Sequence, residues 1–200
     1  MDAFALFEEK RLPFLDRDKL KEKFLAFTEK SHPDKFRDSD KHREAEEKFS
    51  QMHEAYRILS QPKLRLAHLL ELEFGVSQNE INEVKAIFKD KKDAMELNWK
   101  IGELCQEIDA LKNKEKTLTN ALSKALLSAE KSHLLQRFQT LKMEIENSLE
   151  NLENQCKLFS ESWAPNKANE QQIKEVYHAT AFTERAAQQL DARLIVLMTD

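Results

Sequence analysis

Apolar residues recur at intervals of three and four in segment after segment of this chain, the spacing of one helix face. Leu20, Phe24 and Phe27 form the first such stripe, over about residues 17–31, with Asp16 placed to cap its amino end. Pro33 ends it, because a proline disfavours helical geometry in the residue before it and has no amide donor. A polar loop from His32 to about Asp40 follows, and Ala45, Phe49, Met52, Tyr56 and Leu59 then mark a second helix over about 41–60. So short a loop makes the two helices antiparallel neighbours that pack seam to seam. Pro62 opens a shorter helix with Leu64, Ala67 and Leu70, and Gly75 stops it. Ser77 and Glu80 form a capping-box pattern that opens another short helix through Ile81, Val84 and Phe88.

The charged stretch Lys89-Asp90-Lys91-Lys92-Asp93 is the natural boundary. It separates an N-terminal helical domain (1–75) and a connecting segment (76–92) from a second domain (93–200). Three longer seams lie beyond it. The first, over about 93–113, repeats Leu97, Ile101, Leu104, Ile108 and Leu111. The second begins near Leu118 and continues through Leu134, Phe138, Leu141, Ile145, Leu149, Leu152, Cys156 and Phe159. The third follows Trp163-Ala164-Pro165 and carries Ile173, Val176, Tyr177, Thr180, Leu190, Leu194 and Leu197. Three such helices with turn signals between them predict an antiparallel three-helix bundle, and the fold class is all-α.

Composition agrees and narrows the function. Only two glycines and four prolines occur in 200 residues, so little interrupts helix. Net charge is −4, with no excess of Lys and Arg to neutralise phosphates, so nucleic acid is not an expected partner. No apolar run approaches the roughly 20 residues that cross a bilayer, so no membrane association is expected either. Met1-Asp2-Ala3-Phe4 has no basic leader, and Cys105 and Cys156 are lone cysteines; both fit a cytoplasmic protein. The six histidines are scattered without a metal-binding partner at i+3 or i+4, and no phosphate loop or nucleophile elbow occurs. No metal, cofactor or enzymatic activity is expected.

The chemistry concentrates in the loop between the first two helices. Pro33 stiffens it, and Lys19, Lys23 and Lys30 share one stripe at 100° per residue beside the apolar face. Lys35 and Arg37 extend this basic strip past the loop. A basic strip ending in a rigid polar loop suits docking on an acidic partner, chiefly through on-rate and orientation. The tripeptide His32-Pro33-Asp34 between two antiparallel helices resembles the signature of J-domains. Leu6-Phe7, His32-Pro33-Asp34-Lys35-Phe36 and Glu54-Ala55-Tyr56-Arg57-Ile58-Leu59 extend the resemblance over about residues 4–73. It implies that His32, Pro33 and Asp34 trigger ATP hydrolysis in a DnaK-type ATPase chaperone, with Lys19, Lys23, Lys30 and Lys35 in the docking surface. Leu25 and Ser31 stand where many J-domains carry a basic and an aromatic residue, which implies a dedicated partner.

In the second domain, Met95, Trp99 and Gly102 fall opposite the seam of their helix, flanked by Glu96, Glu103 and Glu107. Phe182 falls opposite Ile173, Tyr177 and Thr180, beside His178 and Arg185. Large apolar residues ringed by charge are candidate interface anchors. Met95, Trp99, Glu103, Glu107 and Phe182 sit at spacings similar to those of the HscB-like J-proteins of iron–sulfur cluster assembly. His32-Pro33-Asp34-Lys35-Phe36 and Arg65-Leu66-Ala67-His68-Leu69-Leu70 also resemble that subfamily. The resemblance implies a client-binding bundle that holds the iron–sulfur cluster scaffold protein. The alternative is a J-domain co-chaperone whose bundle serves a different client.

Overall fold

The computed structural model describes residues 1–32, 35, 42–83, 91–117 and 120–199. It is all-α: eight helices and no strand among the described residues. They are α1 (Ala3–Leu6), α2 (Arg17–Ser31), α3 (His42–Ser60), α4 (Pro62–Phe74), α5 (Gln78–Glu83), α6 (Lys91–Glu115), α7 (Ala121–Glu161) and α8 (Lys167–Met198). The chain forms two compact units. One comprises Met1–Lys85 with Glu153–Tyr177, the other Ala86–Leu152 with His178–Asp200.

In the first unit, Asp16 accepts the backbone amides of Asp18 and Lys19 and so caps α2, and His32 leaves the helix in extended geometry ahead of Pro33. Leu20, Leu15, Ala55 and Leu59 are buried with Ala3, Phe4 and Phe7, and Phe24, Met52 and Tyr56 pack against them. α2 and α1 both pack on α3, and α3 packs on α4. The pairing of Phe24 with Tyr56 and of His32 with Phe49 runs α2 and α3 antiparallel. α4 ends at Gly75, whose φ of 66° is the left-handed geometry that lets its amide return to the last turn. The Ser77–Glu80 capping box forms at both of its hydrogen bonds, with Glu80 accepting from the Ser77 amide and the Ser77 hydroxyl accepting from the Glu80 amide. Ile81 is buried; Val84 and Phe88, and the residues Lys89-Asp90 of the charged stretch, lie outside the described residues.

α4 is buried on nearly every side. Arg65, Leu66, Ala67, His68, Leu69 and Leu70 are six consecutive buried residues. His68 accepts the amide of Ala3 at Nε2 (3.1 Å) and stacks on Phe4, tying α4 to the chain's start. Arg65 donates Nε–H to the Pro13 carbonyl (2.9 Å) and Nη1–H to that of Leu59 (2.7 Å). The C-terminal part of α7 belongs to the same unit. The Ser160 hydroxyl accepts the Phe14 amide at 3.0 Å, Arg17 pairs with Glu153 at 3.3 Å, and Trp163 meets Phe74 edge to face.

The second unit has a core built from three helices. Ile101, Leu104, Cys105, Ile108 and Leu111 of α6 are buried with Leu127, Leu134, Phe138, Leu141 and Ile145 of α7 and Ala186, Leu190 and Leu197 of α8. Pairs such as Lys114–Glu130 and Lys100–Glu144 set α6 and α7 antiparallel. The pairing of Arg193 with Asp109 and of Lys112 with the Thr199 carbonyl runs α8 alongside α6 in the same direction.

Candidate functional site

The loop end of the first unit places His32 at the tip of a ladder of rings. The His32 imidazole is half-buried with its edge toward Phe49, ring centroids 5.3 Å apart. Phe49 lies 4.7 Å from His53, His53 meets Phe24 edge to face at 4.7 Å, and Phe24 stacks on Tyr56 at 4.3 Å. Tyr56 reaches Phe7 at 6.3 Å. The helical spacing of Phe49, His53 and Tyr56 on α3 brings them onto one face, and the antiparallel hairpin supplies Phe24 and His32 opposite. His32 is therefore held from inside by a continuous aromatic stack. Pro33 and Asp34 lie outside the described residues.

The lysines of the basic strip divide into two kinds. Lys19 and Lys30 are exposed on α2. Lys23 instead donates to the Phe7 carbonyl (3.0 Å) and pairs with Glu9, which pins the segment after α1 to α2. Lys35 donates its amide to the His32 carbonyl at 3.0 Å and its ammonium to the carbonyl of Glu29 in the last turn of α2. A cation at a helix C-terminus is favourably placed against the helix dipole.

The second unit carries the other candidate face. Met95 and Trp99 are among its most exposed large apolar residues, at 72% and 67% of full exposure. They begin a ridge on α6 at steps of four that continues through Glu103 and Glu107. Both carboxylates are engaged by Arg137 of α7, at 3.1 Å to Glu103 Oε2 and 2.7 Å to Glu107 Oε1. The hydrogen bond to Glu107 raises the Arg137 pKa above its ordinary value, against partial desolvation. Lys100, between Trp99 and Glu103 on the same helix, bridges Glu144 (3.2 Å) and Glu96 (3.3 Å). Those bonds, Glu144 first, raise the Lys100 pKa too.

Phe182 of α8 is half-buried, beside the buried Ala181 and Thr183, rather than facing water as its position opposite Ile173 and Tyr177 predicts. Burial here does not follow the single face that the apolar repeat marks, since Ala181 and Thr183 are buried on either side of Phe182. Lys100 stands where the HscB-like resemblance implies an acidic side chain, and Arg137 is the cation of this face that pattern reading missed. Arg137 adjoins the seam residue Phe138, and the antiparallel register of α6 and α7 is the signal that aligns it with Glu103 and Glu107. Among the described residues no group of three or more His, Cys, Asp or Glu is placed to hold a metal ion, and no helix is long and apolar enough to cross a membrane.

Comparison with known proteins bears on the fold that carries these two faces. A family model of the DnaJ domain matches residues 13–68, which span α2, the His32 loop, α3 and the first half of α4. The chain is thus an all-α protein with an N-terminal region similar to the DnaJ domain. The solved structure described as chaperone HscB from Vibrio cholerae superposes with a TM-score of 0.65 at 16% sequence identity, covering 99% of this chain and 100% of that one. The fold is thus similar to that of this HscB structure over nearly the whole chain. No curated protein matches the sequence.

Proposed function

We propose that this chain is a co-chaperone that stimulates the ATPase of a DnaK-type chaperone and delivers to it an iron–sulfur cluster scaffold protein. In this reading His32, Pro33 and Asp34 act on the ATPase, and Lys19 and Lys30 orient the encounter, while Lys23 and Lys35, exposed but tied to neighbouring carbonyls, shape the docking surface. Met95, Trp99, Glu103, Glu107 and Phe182 form the client face. The chain catalyses no reaction itself; it shifts a conformational equilibrium in its partner, in the cytoplasm and without a cofactor.

One observation carries the client half of the reading. Trp99 and Met95 stand exposed side by side on α6 with a row of carboxylates continuing the ridge. An exposed tryptophan in a charged rim is the composition of an interface hot spot, since it buries a large area with few rotamers to freeze. In this reading the ATPase task falls to 1–75, with 76–92 as connection, and the client task to the part of 93–200 outside Glu153–Tyr177, a segment that packs in the first unit.

Calorimetric titration of the chain with the scaffold protein tests this. Binding is expected, and Trp99→Ala is expected to weaken it by more than about 1.4 kcal/mol, a factor of ten. Phe182→Ala is expected to add a smaller loss, because its ring is already half-covered. No heat of binding from the unmodified chain would leave the bundle serving a different client.

A further inference from the structure

The acidic part of the client face is not a free cluster of negative charge, because Arg137 threads it. Its Nη1 contacts both carboxylate oxygens of Glu107, and its Nη2 contacts Oε2 of Glu103 at 3.1 Å. Glu107 thus has both oxygens engaged, while Glu103 keeps Oε1 beyond these contacts and stands one helical turn from Trp99. Lys100 likewise shares Glu96 and Glu144, contacting one oxygen of each. Counting the six groups, four carboxylates and two cations leave a net charge of −2 around the apolar pair.

We propose that Arg137 sets the specificity of this face: Glu103 reads a basic side chain of the client, and Glu107 acts only through Arg137 as a positioning residue. The client surface that fits is an apolar recess for Trp99 and Met95 bordered by an isolated basic side chain. A polybasic surface is rejected, since it meets a guanidinium at the carboxylate end of the ridge and like charges at close range cost affinity. This inference rests on the function proposed above and names the chemistry of the partner at the same face.

Removing Glu107 leaves Arg137 to pair with Glu103 alone, which neutralises the reader. Removing Arg137 does the opposite. The experiment is therefore a double-mutant cycle on binding of the iron–sulfur cluster scaffold protein, with helical content and melting checked for each variant. Glu103→Gln and Glu107→Gln are each expected to weaken binding about threefold to fivefold, the scale of a partly exposed ion pair. Arg137→Gln is expected to tighten it by a similar factor and to steepen its dependence on salt.

The deciding variant is the double substitution Glu107→Gln with Arg137→Gln, expected to bind as tightly as Arg137→Gln alone, because Glu107 has no role once Arg137 is gone. A loss from Glu107→Gln that persists in the double variant means that Glu107 touches the client itself and overturns the proposal. Unchanged affinity in Arg137→Gln overturns it as well. A chain that does not bind the scaffold, or binds it equally well with Trp99→Ala, removes the underlying function instead. Trp99 dependence with no Arg137 dependence removes this inference alone.

Discussion

The guanidinium of Arg65 on α4 lies wholly buried with Nη2 3.8 Å from Oε1 of Glu153 on α7. That separation is too long for a hydrogen bond but close enough for the charges to attract strongly away from water. Burial lowers the Arg65 pKa, while Cys156 and Glu153 pull it back up. The cation persists because two backbone carbonyls hold its fork and Glu153 supplies the counter-charge.

Glu153→Ala strands this cation. The expected loss is about 2 kcal/mol, less than for a fully buried pair, because Glu153 is partly solvated and the carbonyl bonds survive. Glu153→Gln, of equal shape, should lose less than the alanine variant. Urea unfolding followed by helical circular dichroism measures both, and equal stability of Glu153→Ala and the unmodified chain would show that the pair contributes nothing.

His32→Gln is expected to abolish stimulation of the DnaK-type ATPase while melting within about 1 kcal/mol of the unmodified chain, as substitutions outside a packed core do. Steady-state phosphate release in the presence of the chaperone is the readout. Stimulation at the original level would remove the J-domain function from this loop.

The two glycines predict opposite signs. Gly75 sits at φ 66° with open space around its Cβ position, so Gly75→Ala is penalised only by backbone geometry, by about 1 kcal/mol. Gly102 lies within α6 with equally open space, and Gly102→Ala gains helix propensity of about 0.8 kcal/mol. Thermal melts of the two single variants should move in opposite directions.

Burial pushes the Cys156 thiol up to about 11 from its ordinary 9.0, with Arg65 opposing. The folded state holds this proton more tightly than the unfolded chain does. Its contribution to stability is therefore complete below about pH 9 and falls as pH rises toward about 11. Unfolding free energies taken from pH 8 to pH 11 should fall more steeply for the unmodified chain than for Cys156→Ala. Parallel curves would contradict it.

Where a helix meets the core on one side, the seam could be read from spacing. Leu20, Phe24, Met52 and Leu59, and the run Ile101 to Leu111, pack as their periods require. α4 was legible as a helix from Pro62 to Gly75 with Ala67 and Leu70 buried, but its full burial was not, because six consecutive residues are enclosed, Arg65 and His68 among them. The seam of α7 shows where it is covered but not by what. Leu141 and Cys156 share one apolar repeat, yet Leu141 belongs to the second unit and Cys156 to the first. Arg137 escaped notice because an isolated arginine beside a seam has the same pattern as a solvated one; only the helix register reveals its acceptors. Met95 and Trp99 were legible because nothing in the period of α6 gave them a place inside.

The Arg65–Glu153 pair bears on how such a chain evolves. The DnaJ match ends at residue 68, yet its buried arginine finds its counter-charge far along the sequence, in α7. A corresponding segment grafted here from another protein would have to bring an arginine at this position or leave Glu153 without its buried counter-charge. A boundary that looks modular in the sequence is thus crossed by a charge pair, and the segment up to residue 68 does not hold all of its own electrostatic balance.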